Sequence, residues 1–388
     1  MNDDMLAIVG IGIYPFGRSE LTAQQMAVVA IKQALSNAEV SWRDIELAVG
    51  GSLDGGQADV MVGELGPTGL PFINVLNGCA TGAASLITAG SMISSGIGEL
   101  GLVVGFDKHP RGAFSAPDVT AWGVGSWYGE SGMFVNPQFF GMKIQRYMHE
   151  HQITEETLAK VAAKAFANGS LNPNAWRRKA ISEEEILSSR LINYPLRQFM
   201  VCSPSEGAVA LVVCHPHVAD KYTDTPIYVR AATLRSRQYG SFELFQTSLP
   251  HDLPPTPSQL ASRAAFEYSG LTPEDIDLWQ LQDTESGAEV MHMAEVGLCE
   301  HGAQNDLVAA GATAITGAQP VNTDGGLLAN GEPVGASGLR MVYEASLQLR
   351  GDAGERQVAD TAKNALTHVY GAPGISACTI LSTESARR

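Results

Sequence analysis

The sequence is poor in basic residues. Its 25 lysines and arginines stand against 41 aspartates and glutamates, which gives a formal net charge of −16. Because nucleic-acid binding needs a basic surface that neutralises phosphates, this balance argues against nucleic acid as a general partner. It does not exclude a single phosphorylated ligand, which a local basic cluster is enough to bind.

Cysteines and long apolar segments are also scarce. The five cysteines include no Cys-x-x-Cys pair, so they indicate neither a disulfide framework nor a zinc site. The first residues, Met1-Asn2-Asp3-Asp4, lack the basic segment of a signal peptide. The longest apolar runs are much shorter than the roughly 20 residues that span a bilayer. We therefore expect a cytoplasmic protein without a membrane segment.

What the chain does contain is an alternation of apolar strands and amphipathic helices. Its 388 residues exceed one typical domain, and 45% are hydrophobic. Leu6–Gly12 is typical of a buried strand, Thr22 of the cap of a helix that runs to about Ala38, and Leu100–Asp107 of another strand. The pattern predicts an α/β fold with a mainly parallel sheet. We expect a first half over 1–222, with a loop-rich insertion at about 108–200, and a second half over 223–388.

One stretch indicates chemistry. A short apolar segment leads into Asn77-Gly78, Cys79 follows, and the small residues after it favour a helix that opens at Cys79. The free N–H groups and the dipole of a helix N-terminus favour thiolate over thiol, so Cys79 is a candidate nucleophile. The alternative is that Cys79 is only a small buried apolar residue.

Asn77-Gly78-Cys79-Ala80-Thr81-Gly82 resembles the nucleophile motif of the thiolases, especially the branch related to sterol-carrier-protein thiolases. Further matches in the family's order follow along the chain: Gly141 to Glu150, Pro195-Leu196-Arg197, Ser205-Glu206-Gly207-Ala208 and Pro320 to Gly326. The resemblance implies two similar βαβ-containing halves, packed as alternating layers of helix and sheet. It also implies that a β-ketoacyl-CoA acylates Cys79, with coenzyme A as co-substrate, no bound cofactor and no metal.

The sequence departs from that branch at three motifs. Gly331-Glu332-Pro333 stands where the family has Gly-His-Pro, and Gln282-Asp283-Thr284-Glu285 stands where it has His-Asp-Cys-Phe. His368-Val369-Tyr370-Gly371 stands where it has His-Asn followed by glycines. The nucleophile is kept, but one histidine becomes Glu332 and the acid/base cysteine becomes Thr284.

A thiolase needs a base for the thiol, an acid/base group for the substrate α-carbon and donors for the oxyanion. His368 is the remaining group whose ordinary pKa lies nearest the working pH. An ionised Glu332 beside Cys79 raises the pKa of the thiol, so Glu332 is either a protonated donor, the general base, or a group that orients His368. We prefer a direct acid/base role; the alternative is a loop carboxylate bound by backbone N–H groups.

Supporting residues are assigned from the same motifs. Asn322 and the backbone N–H of Cys79 are candidate oxyanion donors, Thr284 can only hydrogen-bond, and Gly371 is expected to support the site. The basic cluster Arg177-Arg178-Lys179 is a candidate site for CoA, with a solvated loop as the alternative. We expect structural or surface roles for His109, His149 and His251, and a core position for Cys378; Cys202 stays undecided.

The three departures resemble a thiolase branch that acts in anaerobic toluene degradation. This resemblance implies a bulky, aromatic β-ketoacyl-CoA substrate and a small partner subunit with a zinc ribbon and an OB fold. The family also implies a homodimer. The aromatic-rich stretch from Trp122 to Phe134 suits an aromatic acyl group, although aromatics in loops are also common packing anchors. The rival interpretations are a thiolase-fold aldolase, a non-catalytic scaffold subunit, and an acyltransferase that works in the synthetic direction.

Overall fold

The computed structural model describes residues 4–110, 118–120, 126–241, 253–358, 362–372 and 374–386. The strands in these ranges are β1 Leu6–Gly17, β2 Leu47–Gly51, β3 Phe72–Asn74, β4 Leu100–Lys108, β5 Leu191–Asn193, β6 Leu196–Arg197, β7 Glu206–Cys214, β8 Ile227–Ser236, β9 Leu278–Leu281, β10 Asn364–Gly371 and β11 Ile375–Ser382. The helices are α1 Ala23–Asn37, α2 Val62–Leu65, α3 Thr81–Ser94, α4 Ser126–Glu130, α5 Asn136–His151, α6 Glu155–Leu171, α7 Glu183–Ser188, α8 Pro257–Ser269, α9 Ser286–Glu295, α10 Gln304–Ala309, α11 Gly326–Asn330 and α12 Val334–Arg350.

Local sequence signals explain many of these bounds. Thr22 caps α1 through a reciprocal pair of bonds with Gln25, as the sequence predicts. Ser182 accepts a hydrogen bond from the backbone of Glu185 and so starts α7. The apolar run of β7 is buried at every position. None of the helices in the described ranges combines the length and apolar character needed to cross a bilayer.

Nine strands form one sheet, and its order shows two related halves. The order is β3-β2-β4-β7-β1-β8-β11-β10-β9. In the first half, β1 pairs antiparallel with β7, and β7 pairs antiparallel with β4. β4 then pairs parallel with β2, and β2 parallel with β3. In the second half, β8 pairs antiparallel with β11, and β11 pairs antiparallel with β10. β10 then pairs parallel with β9, and β9 has a parallel bridge to Val321. The halves therefore share one topology and meet where β1 pairs antiparallel with β8. The expectation of a mainly parallel sheet is wrong, because parallel strand pairs in the described ranges occur only among β2, β3 and β4 and between β9 and β10.

The helices form layers around this sheet. α3 and α12 lie side by side and contact strands of both halves, so they make a central layer. α1 covers the outer face of the first half, and α8 covers the outer face of the second. The alternating layers of helix and sheet expected for a thiolase fold are confirmed. The boundary expected at residue 222 falls between β7 and β8, and the division into halves over 1–222 and 223–388 stays a prediction.

Candidate active site

Two helix N-termini meet at the candidate site. Cys79 lies two residues before α3, and Glu332 lies two residues before α12. The helices pack closely where they begin, since a Cβ added to Gly82 would lie 2.9 Å from the backbone nitrogen of Leu339. Corresponding positions in the two halves thus bring a thiol and a carboxyl group together.

The turn that carries Cys79 is fixed by its neighbours. The Thr81 hydroxyl accepts from the Asn77 N–H at 2.9 Å and donates to the Gly78 carbonyl at 2.6 Å. Gly78 has a φ of +55°, which favours glycine, and a Cβ there would lie 2.7 Å from the Ala372 carbonyl oxygen. The helix begins at Thr81 rather than at Cys79, so the thiol belongs to the turn that precedes it.

Burial raises the pKa of the Cys79 thiol well above its ordinary value, and the negative charge of Glu332 raises it further. A hydrogen bond from the Ala372 N–H opposes these effects and is outweighed. Although protein atoms enclose the sulfur, the residue as a whole is only partly buried. The expectation that the helix dipole favours a thiolate is therefore wrong for this resting site: Cys79 keeps its proton and needs a base.

Glu332 is placed to be that base. Its side chain is almost fully buried, and its carboxyl group hydrogen-bonds the Cys79 thiol. Gln282 Nε2 donates to one oxygen at 3.1 Å, and Cys202 Sγ donates to the other at 3.6 Å. The backbone N–H of Glu332 donates to the Ser203 carbonyl at 2.9 Å, which fixes the loop. The carboxyl group thus faces two thiols and an amide, unlike a loop carboxylate held by backbone N–H groups.

The protonation of Glu332 follows from this setting. Burial raises the pKa of Glu332, and the hydrogen bonds from Cys79, Gln282 and Cys202 offset only part of that effect. A carboxyl group whose pKa is raised toward neutrality exchanges protons readily at working pH. The arrangement can therefore move a proton between a thiol and a carboxylate inside the fold.

His368 lies on the other face of β10. The next residue, Val369, packs against Ala80 and Ala83 near the start of α3. His368 Nε2 instead lies 2.9 Å from the Ser258 hydroxyl and 2.8 Å from the Ser376 hydroxyl. Because successive side chains of a strand point to opposite faces, the structure does not bring His368 and Cys79 together.

The surroundings of His368 keep it neutral. Burial lowers the pKa of His368 well below its ordinary value, and the His292 ring, 4.3 Å away between centroids, lowers it further. His292 in turn lies 2.6 Å from the Glu295 carboxylate. The catalytic acid/base role expected of His368, and an orienting contact from Glu332, both lack the required geometry.

The expected oxyanion donor Asn322 is engaged elsewhere. Its side-chain oxygen accepts from the Leu281 N–H at 2.9 Å, and its Nδ2 donates to Glu289 at 2.7 Å. The amide oxygen therefore holds the end of β9, and the amide nitrogen holds Glu289 in α9. Glu289 also pairs with Lys164, so this polar group links β9, α9 and α6.

Thr284 and Gly371 both support the site through the backbone. The Thr284 carbonyl accepts from the Cys202 N–H at 2.8 Å and so positions that loop. A Cβ at Gly371 would lie 2.6 Å from the Asn77 carbonyl oxygen and 3.0 Å from the Ala80 nitrogen. Only glycine allows β10 to approach the nucleophile turn this closely.

The three side chains of the basic cluster 177–179 do not point the same way. Arg177 turns inward, where its Nη2 donates to the Ser203 hydroxyl and its Nη1 has no hydrogen-bond partner among the described residues. Its backbone N–H donates to the Ala329 carbonyl at 2.9 Å. Arg178 and Lys179 are exposed. Only these two present charge to solvent, whereas Arg177 presents its charge to the loop of Cys202.

Sequence reasoning left Cys202 undecided, and the structure places it in the site. Its sulfur is buried and contacts the same carboxyl group as Cys79. Two isolated bridges, Val201 with Glu285 and Pro204 with Glu332, bring this loop to the second half. The one signal in the sequence was its position three residues before the Ser205 motif.

The remaining histidines and cysteines mostly follow expectation. His109 is buried and structural: it lies 2.6 Å from the Asp54 carboxylate and accepts from the Val334 N–H at 3.1 Å. His149 is exposed, and Cys378 is fully buried in the core. His251 lies outside the described residues.

The aromatic stretch is described only in part, because Trp122 lies outside the described residues. Tyr128 and Phe134 are buried, with ring centroids 5.3 Å apart, and Trp127 is 58% exposed. Tyr128 and Phe134 thus act as packing anchors, while Trp127 offers a free aromatic surface. No group of three or more His, Cys, Asp or Glu side chains in the described ranges is arranged to hold a metal ion.

Comparison with protein families matches both halves of the chain. The model described as "Thiolase, N-terminal domain" matches residues 6–182, and the one described as "Thiolase C-terminal domain-like" matches residues 244–383. Among solved structures, an Ltp2-ChsH2(DUF35) aldolase has a TM-score of 0.86 at 24% identity, with 99% of each chain covered. Human mitochondrial 3-ketoacyl-CoA thiolase has a TM-score of 0.70 at 16% identity, with 97% and 98% covered. At these identities the two structures show the fold alone.

Curated relatives are similar along almost the whole chain. Acetyl-CoA acetyltransferase of Methanothermobacter thermautotrophicus is 30% identical, over 95% of this chain and 97% of the relative. Sterol carrier protein 2 of Oryctolagus cuniculus is 33% identical, over 96% and 71%. Benzoylsuccinyl-CoA thiolase subunit BbsB of Thauera aromatica is 30% identical, over 98% and 97%. Together with the matched domains, these similarities show that the chain belongs to the thiolase family and is an acyltransferase of that family.

Proposed function

We propose that this acyltransferase cleaves a β-ketoacyl-CoA with coenzyme A, through an acyl-enzyme on Cys79 and with Glu332 as the general base. The observation that carries the proposal is the contact of the buried Glu332 carboxyl group with the Cys79 thiol, at the place where α3 and α12 begin. A nucleophile with an adjacent base is the arrangement that covalent catalysis requires. His368 has a structural role in this proposal.

The steps follow from the two groups. Glu332 takes the thiol proton as the Cys79 sulfur attacks the β-keto carbon, which forms a tetrahedral oxyanion. When that intermediate collapses, the bond between the α- and β-carbons breaks, and a CoA ester leaves as its enolate. The enolate takes a proton at its α-carbon at the expense of the one that Glu332 received, so Glu332 is ionised again. The CoA thiol then attacks the acyl-enzyme and gives its proton to Glu332, and the released Cys79 thiolate takes that proton.

Backbone N–H groups suit the oxyanion better than Asn322. The Ala372 N–H already points at the Cys79 sulfur, and the backbone N–H of Cys79 lies in the turn before α3. A reacting carbon bound to that sulfur places its oxygen near the same donors. We propose these two groups as the oxyanion donors, and exposed Arg178 and Lys179 as contacts for the phosphates of CoA.

For the substrate we propose a bulky aromatic acyl group. Our specific hypothesis is the cleavage of benzoylsuccinyl-CoA to benzoyl-CoA and succinyl-CoA. The similarity to BbsB of Thauera aromatica supports it, as does the exposed Trp127 ring in the aromatic stretch. Identity of 30% is compatible with a different acyl group, so the substrate needs a direct test.

We also propose two kinds of partner. The first is a second copy of the chain: β3 is an edge strand, and large apolar residues are exposed near it, namely Leu53, Val60, Ile73 and Leu76. The second is a small zinc-ribbon and OB-fold subunit, which the similarity to an aldolase named with a DUF35 component supports.

The rival interpretations differ in their need for Cys79. An aldolase or a scaffold does not need an acylated cysteine, yet here the thiol faces a buried base and a backbone donor. This contact favours acyl transfer over the aldolase and scaffold functions. The reaction is reversible, so the same site serves the synthetic direction.

Intact-mass spectrometry tests the proposal. The protein is incubated with benzoyl-CoA, in parallel with Cys79→Ala and with Cys299→Ser as a matched control at a half-buried cysteine. We expect one benzoyl group on the wild type and on the control, and none on Cys79→Ala. An adduct formed only from acetyl-CoA keeps the mechanism and removes the aromatic substrate. An absence of any adduct from benzoyl-CoA and acetyl-CoA, with the partner subunit added, contradicts the proposal.

A further inference from the structure

We propose that Cys202 is the acid/base group that acts on the substrate α-carbon, with its proton supplied through Glu332. This inference rests on the function proposed above and assigns the one catalytic role that the structure leaves without a residue. Thr284 stands where the related thiolases have their acid/base cysteine, and its hydroxyl cannot exchange protons near neutral pH.

The geometry links the two thiols through one carboxyl group. Cys202 Sγ lies 3.6 Å from Glu332 Oε2, and Cys79 hydrogen-bonds the same carboxyl group. Cys202 is 6% exposed, and its own backbone N–H is fixed by the Thr284 carbonyl at 2.8 Å. A thiol from the first half therefore reaches the place where Thr284 leaves an acid/base group missing.

Unpartnered polar atoms occur on Gln282, which holds Glu332, and on two residues that belong to or contact the Cys202 loop. Gln282 is 1% exposed, its Nε2 holds Glu332, and its Oε1 has no hydrogen-bond partner among the described residues. The buried Ser205 hydroxyl and Arg177 Nη1 also lack a partner in the described part of the chain. A buried amide oxygen left without a donor costs about 1–3 kcal/mol, which indicates a polar ligand at this place.

The charge of Arg177 suits the proposed role. Burial and the charges of Glu332 and Asp283 raise the pKa of Cys202, whereas the Arg177 guanidinium lowers it. The thiol is therefore protonated at rest, ready to donate. Once it has donated, the neighbouring guanidinium stabilises the thiolate until a proton returns.

The proton count closes without any oxidant or further reactant. The Cys79 sulfur bonds to the β-carbon while its proton passes to Glu332. The bond between the α- and β-carbons breaks, its electron pair stays on the α-carbon, and that carbon takes the proton of Cys202. Glu332 then returns its proton to the Cys202 thiolate. In sum, one proton moves from Cys79 to the product ester.

The strongest competing residue is Glu285. Burial raises the pKa of Glu285 to about 7, and its Oε1 also lacks a partner among the described residues. However, its other oxygen accepts from the Ala288 N–H at 2.5 Å, which makes it the cap of α9. The charge of Lys143 in α5 lowers the pKa of Glu285, and within the described ranges Glu285 makes no hydrogen bond to Glu332.

The test separates acyl transfer from α-carbon chemistry. Full-length protein is incubated in D2O with benzoyl-CoA, 3′-dephospho-CoA and succinyl-CoA or acetyl-CoA. Benzoyl transfer to dephospho-CoA reports on Cys79 and Glu332 alone, and deuterium uptake at the α-carbon reports on the second acid/base group. The variants are Cys202→Ser, Glu285→Gln and the control Cys299→Ser.

We expect Cys202→Ser to keep benzoyl transfer within about threefold and to lose deuterium uptake by about 100-fold or more. Glu285→Gln and the control Cys299→Ser should both retain uptake. Three results would overturn the inference. They are deuterium uptake that is retained in Cys202→Ser, uptake that is lost only in Glu285→Gln, and uptake that is absent from the wild type with both esters. A parallel loss of both activities in Cys202→Ser would also overturn it, because a merely structural role predicts that result. Absence of benzoyl transfer in the wild type would instead contradict the proposed function.

Discussion

The two faces of β10 carry buried polar groups of different kinds. On one face, Val369 and Gly371 approach the start of α3, where Cys79 and Glu332 share a hydrogen bond. On the other, His368 contacts the hydroxyls of Ser258 and Ser376 and packs against the His292 ring. One step along a strand thus separates a group that faces the nucleophile from one that faces α8 and α9.

The difference lies in what each face offers a substrate. The Cys79 face has a thiol that is only partly buried, a carboxyl group that contacts two thiols, and an amide oxygen without a partner in the described chain. On the His368 face, the histidine is fully buried and its Nε2 is surrounded by hydroxyls. Burial and an altered pKa occur on both faces, so neither property alone identifies a catalytic group.

The largest effect is expected from Glu332→Gln. This change keeps the shape and the contact with Gln282 but removes the base that takes the proton of Cys79. The rate of benzoyl-enzyme formation should fall by about 10²–10⁴ in single-turnover experiments at pH 7.5. A fall of less than threefold would mean that another group is the base. Folding is checked by the thermal midpoint, which should stay close to that of the wild type.

Glu285→Gln tests whether the buried carboxyl group at the start of α9 is protonated in the folded protein. Burial raises the pKa of Glu285 to about 7 from its ordinary value of 4.5, so its neutral form is favoured in the fold. As pH rises from about 4.5 to 7, the unfolded chain ionises first and the wild type loses stability. The stability of Glu285→Gln relative to the wild type should rise by up to about 3 kcal/mol over that range. Urea unfolding at pH 4.5 and 8 measures this difference, and an unchanged difference would contradict it.

Gly371→Ala tests the close approach on the Cys79 face. The new Cβ would lie 2.6 Å from the Asn77 carbonyl oxygen, so the nucleophile turn must move away from Ala372. We expect acylation to slow by about 10–100-fold, because misplaced reacting groups lose their alignment. Gly63→Ala is the control: its Cβ would meet nothing within 4 Å, and acylation should be unchanged. Equal rates in the two variants would contradict the expected contact.

The smallest kinetic effect is expected from His368→Asn. The loss of its contacts with Ser258 and Ser376 should lower the free energy of unfolding by about 1–3 kcal/mol. The rate of acylation should stay within about threefold of the wild type, because the side chain faces away from Cys79. Denaturant unfolding and the single-turnover rate measure the two quantities on the same sample. A large loss of acylation rate with unchanged stability would show that His368 takes part in catalysis.

Much of the fold is predictable because its signals are local. The apolar run of β7 and the capping residues Thr22 and Ser182 lie within the elements that they define. The shared topology of the two halves came from the family resemblance, since strand order depends on contacts between distant segments. The nucleophile turn was found through its motif, but its helix begins two residues later than expected.

The site was predictable only where its residues belong to motifs. Cys79 and Glu332 precede corresponding helices in the two halves, so their motifs indicated a common place. The orientation of His368 depends on the alternation along β10, and the expected thiolate depends on how deeply the sulfur is enclosed. Cys202 enters through bridges to Glu285 and Glu332, which no local pattern encodes.

The most direct test of the Cys79 and Glu332 pairing is the pH dependence of benzoyl-enzyme formation, compared between the wild type and His368→Asn. Burial raises the pKa of Glu332, so the rate should fall as pH drops through that raised value and the base becomes protonated. We predict the same acidic limb in both proteins, because the titrating group lies on the Cys79 face. Loss or displacement of that limb in His368→Asn would show that His368, and not Glu332, is the base.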